Sequence, residues 1–439
     1  MKKIRVRTIS VLFLVIAIIA GLGFYIIRYV VCGKDWVTFV SNGNAYENGC
    51  LKAGSVLDKN GEVLAAIEDG ARVYADDWTT RVATLHAVGD RDGNIGTGAL
   101  SAFASDLVGY NLITGLYSLD GNGGKVKLTI NAELNRTAYE AMAGRSGCVA
   151  VMNYKTGEVL CMVSTPSFDP ADPPEIAEGD TSGVYINRFL SSSYTPGSVF
   201  KLVTLAAAIE NIDDLYDRTF SCNGAYQVGG DYVTCTHEHG EMKIEDALAV
   251  SCNGVFAQLA LELGADTMEE YAAKLGLTAS FEISDIPTSA GTYEKAAAGS
   301  IDLAWSGVGQ YNDAVNPAAM LRYMASIAND GVAVDMKLKD SLLNGKDRFL
   351  SSDTAKKIAE MMDYCVYYTY GDDNFPGLDL CAKSGTAEVG GGKEPNAWFA
   401  GFIKNEGYPL AFVVMIENGG WGSSAAGSVA NSVLQAAIS

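Results

Sequence analysis

The pattern of apolar and polar positions divides the chain before any single residue does. Thr8 to Ile27 carries no charged side chain, about the length that crosses a hydrocarbon core. From Gly33 to about Gly124 the chain is rich in Gly and Asp, with short apolar runs and no long helical period. Within it, Ala53 to Ala65 predicts two strands around an Asn60-Gly61 turn. Asp90-Arg91-Asp92-Gly93 predicts a plain turn, because the acidic ligand that closes a calcium loop is missing. Lys125 to Ile130 alternates as a strand does, and Ala132 to Ala143 has apolar residues at helical spacing. A hairpin follows: Cys148 to Asn153, a turn through Lys155-Thr156-Gly157, then Glu158 to Ser164. Helices are predicted over Lys201 to Ile212, Ile244 to Leu263, Thr267 to Leu275, Pro317 to Asn329 and Lys356 to Met362. Strands return at Leu378 to Ser384, Asn396 to Ile403 and Leu410 to Glu417, and Ser428 to Ala437 closes the chain as a helix. This order predicts an α+β domain built on an antiparallel sheet.

Composition adds a location. At 439 residues, 48% hydrophobic and 19% charged, the chain suits two globular domains and a membrane segment. Lys2, Lys3, Arg5 and Arg7 precede the apolar run, so the amino terminus is expected in the cytoplasm and everything after Arg28 outside. The run is longer than the core of a cleaved signal peptide, and no small-x-small cleavage site closes it before Arg28. Cys32 follows Val31, a larger residue than lipoprotein sites tolerate. The net charge of −20 argues against nucleic acid and other polyanions as partners. Nine scattered cysteines, an odd number, argue against a scaffold built on disulfides.

Three short motifs carry candidate chemistry. Tyr194-Thr195-Pro196-Gly197 leads into Ser198 at the start of a predicted helix, where free backbone N–H groups favour a developing oxyanion. Lys201 lies three residues on, on the same face, and a lysine beside a serine in a dry site can shed its proton and act as base. Ser251-Cys252-Asn253 follows an apolar helical run; its hydroxyl could relay a proton and Asn253 could hold the lysine or a substrate amide. Lys383-Ser384-Gly385-Thr386 ends a predicted strand, and its two hydroxyls beside a lysine suit a carboxylate, with Gly385 admitting a ligand backbone. Alone, each motif reads as a capped turn or a polar strand end. The three histidines, His86, His237 and His239, have no Gly-x-Ser-x-Gly partner, which argues against a Ser-His-Asp hydrolase. No Walker loop, His-Glu-x-x-His or dinucleotide fingerprint is present.

Ser-x-x-Lys, Ser-x-Asn and Lys-Ser-Gly in this order resemble class B penicillin-binding proteins over nearly the whole chain. Gly54 to Gly61, Asn94 to Gly98, Leu128 to Asn131, Gly157 to Ser164, Gly307 to Gln310 and Ala397 to Gly401 are similar to the family too. The resemblance implies a serine β-lactamase/penicillin-binding-protein-like fold: an antiparallel sheet with helices on both sides, a helical subdomain, a β-rich pedestal and one transmembrane helix. It implies a cytoplasmic tail at 1–7, an anchor at 8–31, a pedestal at 33–143 and a transpeptidase domain at 144–439.

The implied activity is peptidoglycan D,D-transpeptidation through an acyl-enzyme that β-lactams also form. Ser198 would be the nucleophile and Lys201 the base, with Ser251 and Lys383 protonating the leaving group. Asn253 would orient the site, Ser384, Gly385 and Thr386 would bind substrate, and the N–H groups of Ser198 and Thr386 would form the oxyanion hole. A water-using β-lactamase or D,D-carboxypeptidase, and a non-catalytic sensor or scaffold, are the competing readings. The first lacks a convincing deacylating Glu loop, and a silent scaffold has no need of Ser198, Lys201, Ser251, Asn253 and Lys383 together. Two departures from the family stand out: a short pedestal, and Lys-Ser-Gly in place of Lys-Thr-Gly. No glycosyltransferase domain precedes the pedestal, so a polytopic membrane glycan polymerase is the expected partner.

No cofactor is required for this chemistry. Cys222, Cys235, His239 and Cys252, at C-x12-C-x3-H-x12-C, nonetheless offer enough ligands for a structural zinc. Some elongation-type members of the family carry zinc in this region. A Cys222–Cys235 disulfide and reduced thiols are the other two readings.

Overall fold

The structure is a computed structural model that describes residues 2–116, 123–177, 179–341 and 345–439. Met1 of the expected tail and 117–122 of the expected pedestal lie outside them. The apolar run belongs to one continuous helix, α1 (Lys2–Val37), whose exposed apolar surface makes it a candidate membrane span. Its far end meets the β-rich part of the chain, where the Tyr29 hydroxyl donates to Leu112 O at 2.9 Å.

That part holds a four-stranded sheet of β1 (Ser55–Leu57), β2 (Val63–Glu68), β3 (Ala71–Tyr74) and β4 (Lys125–Lys127), in the order β3-β2-β1-β4. The expected Asn60-Gly61 turn joins β1 to β2, and Asp90-Arg91-Asp92-Gly93 is a turn, with Asp90 accepting from the Ile95 N–H. One expectation fails. A helix, α2 (Trp78–Val88), stands where no helical period is visible. Thr80 and every residue from Val82 to Val88 are buried, so no polar face exists to mark a period. Its N-cap is ordinary, with Asp77 accepting from the Thr80 N–H at 2.7 Å.

The larger part is built on a five-stranded antiparallel sheet. Helix α3 (Ala132–Met142), capped by Asn131, leads into β5 (Gly147–Asn153) and β6 (Val159–Thr165). After the helical middle come β7 (Leu380–Ala387), β8 (Asn396–Ile403) and β9 (Leu410–Ile416), and the sheet order is β7-β8-β9-β5-β6. Both faces are covered, which is why these strands read as continuous apolar runs. On β5, Val149 and Val151 join the core under α3 and the closing helix, while Cys148, Ala150 and Met152 join the core on the other face.

The middle forms helices α4 (Lys201–Asn211), α5 (Ile244–Ala249), α6 (Asn253–Lys274), α7 (Pro317–Ala328) and α8 (Ser352–Cys365). The predicted Ile244 to Leu263 helix is in fact two, broken at Ser251. The predicted break after Leu263 is a kink at Gly264 (φ 80°) inside α6. The closing helix, α9 (Gly422–Ile438), begins six residues before the expected Ser428. Its small-residue start carries little amphipathic signal, yet Gly422 is required there: a Cβ would meet Gly385 O at 2.2 Å.

Candidate active site

Ser198 stands in the turn that feeds α4. Gly197–Phe200 winds as a 3₁₀ turn before the α-helix begins at Lys201. Three residues per turn eclipse positions i and i+3, so Ser198 and Lys201 share a face more closely than an α-helix would place them. The lead-in is held from two sides. Gly197 N–H donates to Gly309 O at 2.8 Å, and Trp398 Nε1–H on β8 donates to Thr195 O at 3.0 Å.

The first and third motifs touch through their backbones. Gly197 has φ 56°, and a Cβ there would meet Thr386 O at 2.7 Å. A Cβ on Gly385 would meet Pro196 O at 2.7 Å. The close approach that Gly385 permits in this structure is therefore to the lead-in of the first motif. The third motif also lies inside its strand rather than at its end, because β7 runs on to Ala387 opposite Asn396. As an edge strand, β7 keeps one side unpaired by its own sheet.

Ser251 sits where α5 stops. Its N–H donates to Leu248 O at 3.1 Å and that of Cys252 to Ala247 O at 2.8 Å, the paired bonds of a Schellman ending. Ser251 occupies the left-handed position, φ 55°, that glycine normally fills. Cys252 then caps α6, so the motif forms a tight corner between two helices.

That corner receives Lys201, which is fully buried. Its Nζ donates to Ser251 O at 2.6 Å and to Asn253 Oδ1 at 2.7 Å, and lies 3.0 Å from Ser251 Oγ. The Asn253 amide is oriented by its other end, where Nδ2–H donates to Thr234 O at 2.8 Å. Burial, and then the neighbouring charge of Lys383, push the Lys201 ammonium well below its ordinary range. A neutral lysine has two N–H bonds and one lone pair. The two carbonyl acceptors take the N–H bonds, which leaves the lone pair for a hydroxyl. Lys383, also fully buried, reaches the same Ser251 Oγ from the other side at 3.1 Å. One hydroxyl thus lies between two lysines.

Ser198, Ser251, Asn253, Ser384 and Thr386 line one cavity of about 700 Å³. Ser198 shares this cavity but makes no hydrogen bond to Lys201, whose bonds go to the second motif. Thr386 Oγ1 accepts from the Gly422 N–H at 3.2 Å, tying the motif to α9. None of the three histidines lines the cavity.

Among the lining residues outside the motifs, Thr369 and Tyr370 were missed in sequence. Thr369 and Tyr370 end a π-turn, Val366–Tyr370, that follows α8. The Thr369 hydroxyl donates to Ala249 O at 2.7 Å, and Tyr370 Oη takes the Ser384 N–H at 2.9 Å. The tyrosine-rich run Tyr367-Tyr368-Thr369-Tyr370 was the available signal.

A family profile described as the penicillin binding protein transpeptidase domain matches residues 147–438. Peptidoglycan D,D-transpeptidase PbpA of Mycolicibacterium smegmatis is 29% identical over 353 residues, 70% of each chain. The structure of penicillin-binding protein A from M. tuberculosis, an acyl-enzyme complex, superposes with TM-score 0.78 at 23% identity, covering 88% of this chain and 98% of that one. The D,D-transpeptidase domain of a peptidoglycan glycosyltransferase from Eggerthella lenta gives TM-score 0.73 at 27% identity, covering 88% and 98%.

Proposed function

The chain belongs to the class B penicillin-binding protein transpeptidases, and from that premise we propose that it cross-links peptidoglycan through an acyl-enzyme on Ser198. The observation that carries this assignment of residues is the convergence of three sequence-distant motifs on the Ser251 hydroxyl and one cavity. On this reading residues 8–31 anchor the chain, 33–143 raise the catalytic part, and 144–439 hold the chemistry.

Ser198 Oγ attacks the carbonyl of the penultimate D-Ala of a stem peptide, and the lone pair of Lys201 takes its proton. The oxyanion forms against the N–H groups of Ser198 and Thr386. The C–N bond to the terminal D-Ala then breaks, and its nitrogen takes a proton from Ser251, whose hydroxyl the two lysines re-supply. The acceptor strand's amine attacks the ester next, forms the cross-link and returns the proton to Ser198 through the same route. Ser384 and Thr386 hold the substrate carboxylate, with Gly385 between them. The protein supplies nucleophile, base and proton donor itself, so acyl transfer needs no cofactor. The amino terminus lies in the cytoplasm and the catalytic part outside, where a polytopic membrane polymerase supplies glycan strands.

Labelling with a fluorescent penicillin tests the nucleophile. Wild type is expected to form a stable adduct that turns over slowly, and Ser198→Ala none. Labelling that survives the substitution sinks the assignment, and rapid release of label points to a β-lactamase.

Cys222, Cys235, His239 and Cys252 fit a structural zinc. Their ligand atoms lie within 4.8 Å of one another, with Sγ–Sγ separations of 3.7 and 3.8 Å and Cys222 Sγ to His239 Nδ1 at 3.4 Å. Ligands about 2.3 Å from one tetrahedral ion stand roughly 3.8 Å apart. Zinc would tie Cys252, beside Ser251, to the segment 222–239 that carries the other ligands, with no part in acyl transfer. Metal analysis with a thiol count checks it: one zinc per chain is expected, whereas no metal and two fewer thiols would indicate the disulfide.

A further inference from the structure

Tyr370 belongs to none of the three motifs, yet its hydroxyl makes three polar contacts with the third one. Tyr370 Oη accepts the Ser384 N–H at 2.9 Å and lies 3.4 Å from Lys383 Nζ and 3.0 Å from Ser384 Oγ. Neither the backbone N–H nor an ammonium can accept, so both donate, and they occupy the two acceptor positions of the phenol. The Ser384 hydroxyl then finds no lone pair left to donate to. The third contact therefore runs the other way: Tyr370 gives its one proton to Ser384 Oγ. Ser384 in turn has its own proton free, on a side chain that lines the cavity.

We propose that Tyr370 is a positioning residue that fixes the direction of the Ser384 hydroxyl, aiming its proton into the cavity at a substrate carboxylate. The inference rests on the reading of Ser384 as a carboxylate-binding residue. The π-turn explains how the phenol is held. Its closing bond, Gly371 N–H to Val366 O at 2.9 Å, spans five residues, and single π-turns concentrate at functional sites. Thr369, beside Tyr370, fastens the same turn to Ala249 O, two residues before Ser251. The Tyr370 ring packs edge-on against Phe399, centroids 5.4 Å apart, directly across the ladder from Ser384. One short turn thus holds the second and third motifs at a fixed separation.

Acylation by benzylpenicillin and by its methyl ester separates this role from a structural one. Tyr370→Phe keeps the ring on Phe399 and removes only the hydroxyl. Its binding constant for the free acid should weaken roughly tenfold or more, the scale of one hydrogen bond to a charged group. The rate constant of the acylation step, and both constants for the ester, should stay near those of wild type. In a Ser384→Ala background, Tyr370→Phe should change nothing further. Equal loss on acid and ester, or full additivity of the two substitutions, overturns the inference. If Ser384→Ala itself fails to separate acid from ester, it is the carboxylate reading of Ser384 that falls. Should Tyr370→Phe not fold, 3,5-difluorotyrosine at 370 serves instead. Once ionised it has no proton to give, so the preference for acid over ester should decline with rising pH in that chain alone. A preference that does not decline overturns the inference.

Discussion

Ser251 holds a backbone conformation that its side chain does nothing to favour. The left-handed position at a Schellman ending suits glycine, and a Cβ there costs roughly 1–2 kcal/mol. What the serine gives in return is a hydroxyl shared by Lys201 and Lys383. Ser251→Gly and Ser251→Ala both remove it, so both should lose acylation at least about a hundredfold, the range of a general acid–base group. They should differ in stability: denaturant titration is expected to find the Gly variant more stable than the Ala variant by about 1 kcal/mol. Equal stabilities would mean that the corner is not strained. Lys201 leads to a second prediction at this scale. Its proton affinity in the folded chain is lowered by burial and by Lys383, so the neutral base is present well below the ordinary lysine range. The acylation rate should therefore rise with pH through that lowered value and level off well before pH 10.5. Lys383→Gln removes a like charge, which favours protonated Lys201, so the rising limb should move to higher pH in the residual activity. The linkage has the matching sign: the unfolded chain binds more protons between the lowered value and 10.5, so the penalty of burying Lys201 is largest at low pH and fades as pH rises.

Between elements, the small sheet and the larger part meet at Asp58, a buried carboxylate just past β1. One oxygen accepts the N–H groups of Asn60 and Glu62 at 2.7 and 2.9 Å; the other accepts the Ala132 N–H, at the start of α3, at 3.2 Å. Removing the carboxylate leaves three donors short of a partner. Asp58→Ala should lower stability by about 2–3 kcal/mol in chemical denaturation, while penicillin acylation of the surviving folded fraction stays near wild type. A loss below about 0.5 kcal/mol would mean that water replaces the bonds. Elements whose pattern records their surroundings were legible in the sequence. The hairpin β5–β6 and strands β8 and β9 are apolar on both faces and showed it, and α7 begins at Asn316-Pro317, a cap and a first-turn proline that any sequence displays. Helix α2 was not legible, because burial of nearly all its residues erases the polar stripe that periodicity needs. The break at Ser251 was hidden for a related reason: serine at a left-handed position gives no glycine to read. The site shows the same division. Ser198, Lys201, Ser251, Asn253, Lys383, Ser384 and Thr386 stand in recognisable short motifs, whereas Thr369 and Tyr370 reach the site from a turn whose local sequence specifies only its position, not its reach.

On the scale of the whole molecule, charge and hydropathy support the proposal that this chemistry runs outside the cytoplasm. Helix α1 spans 36 residues, long enough to cross a bilayer and project beyond it. The projecting end is engaged with the rest of the chain: Tyr29 bonds Leu112 O, and Lys34 pairs with Asp285 at 3.7 Å. An exposed pair of this kind contributes little, so these two contacts join the end of α1 to Leu112 and Asp285 without fixing it rigidly. Lys2, Lys3, Arg5 and Arg7 stand at the opposite end of the helix, in a chain whose net charge is −20. Keeping those four cations on the cytoplasmic side agrees with the usual bias of basic residues and puts the cavity of Ser198 outside. A membrane-impermeant fluorescent β-lactam reads this directly. In right-side-out vesicles carrying the full chain, labelling should be complete without detergent. In inverted vesicles it should appear only after detergent, and Ser198→Ala should abolish it in both. Labelling of intact inverted vesicles would reverse the orientation while leaving the nucleophile in place, so the two readings can fail separately. Moving the four basic residues from before the helix to its far end should weaken or invert the preference, and the same two vesicle preparations would report it as a shift of label from one to the other.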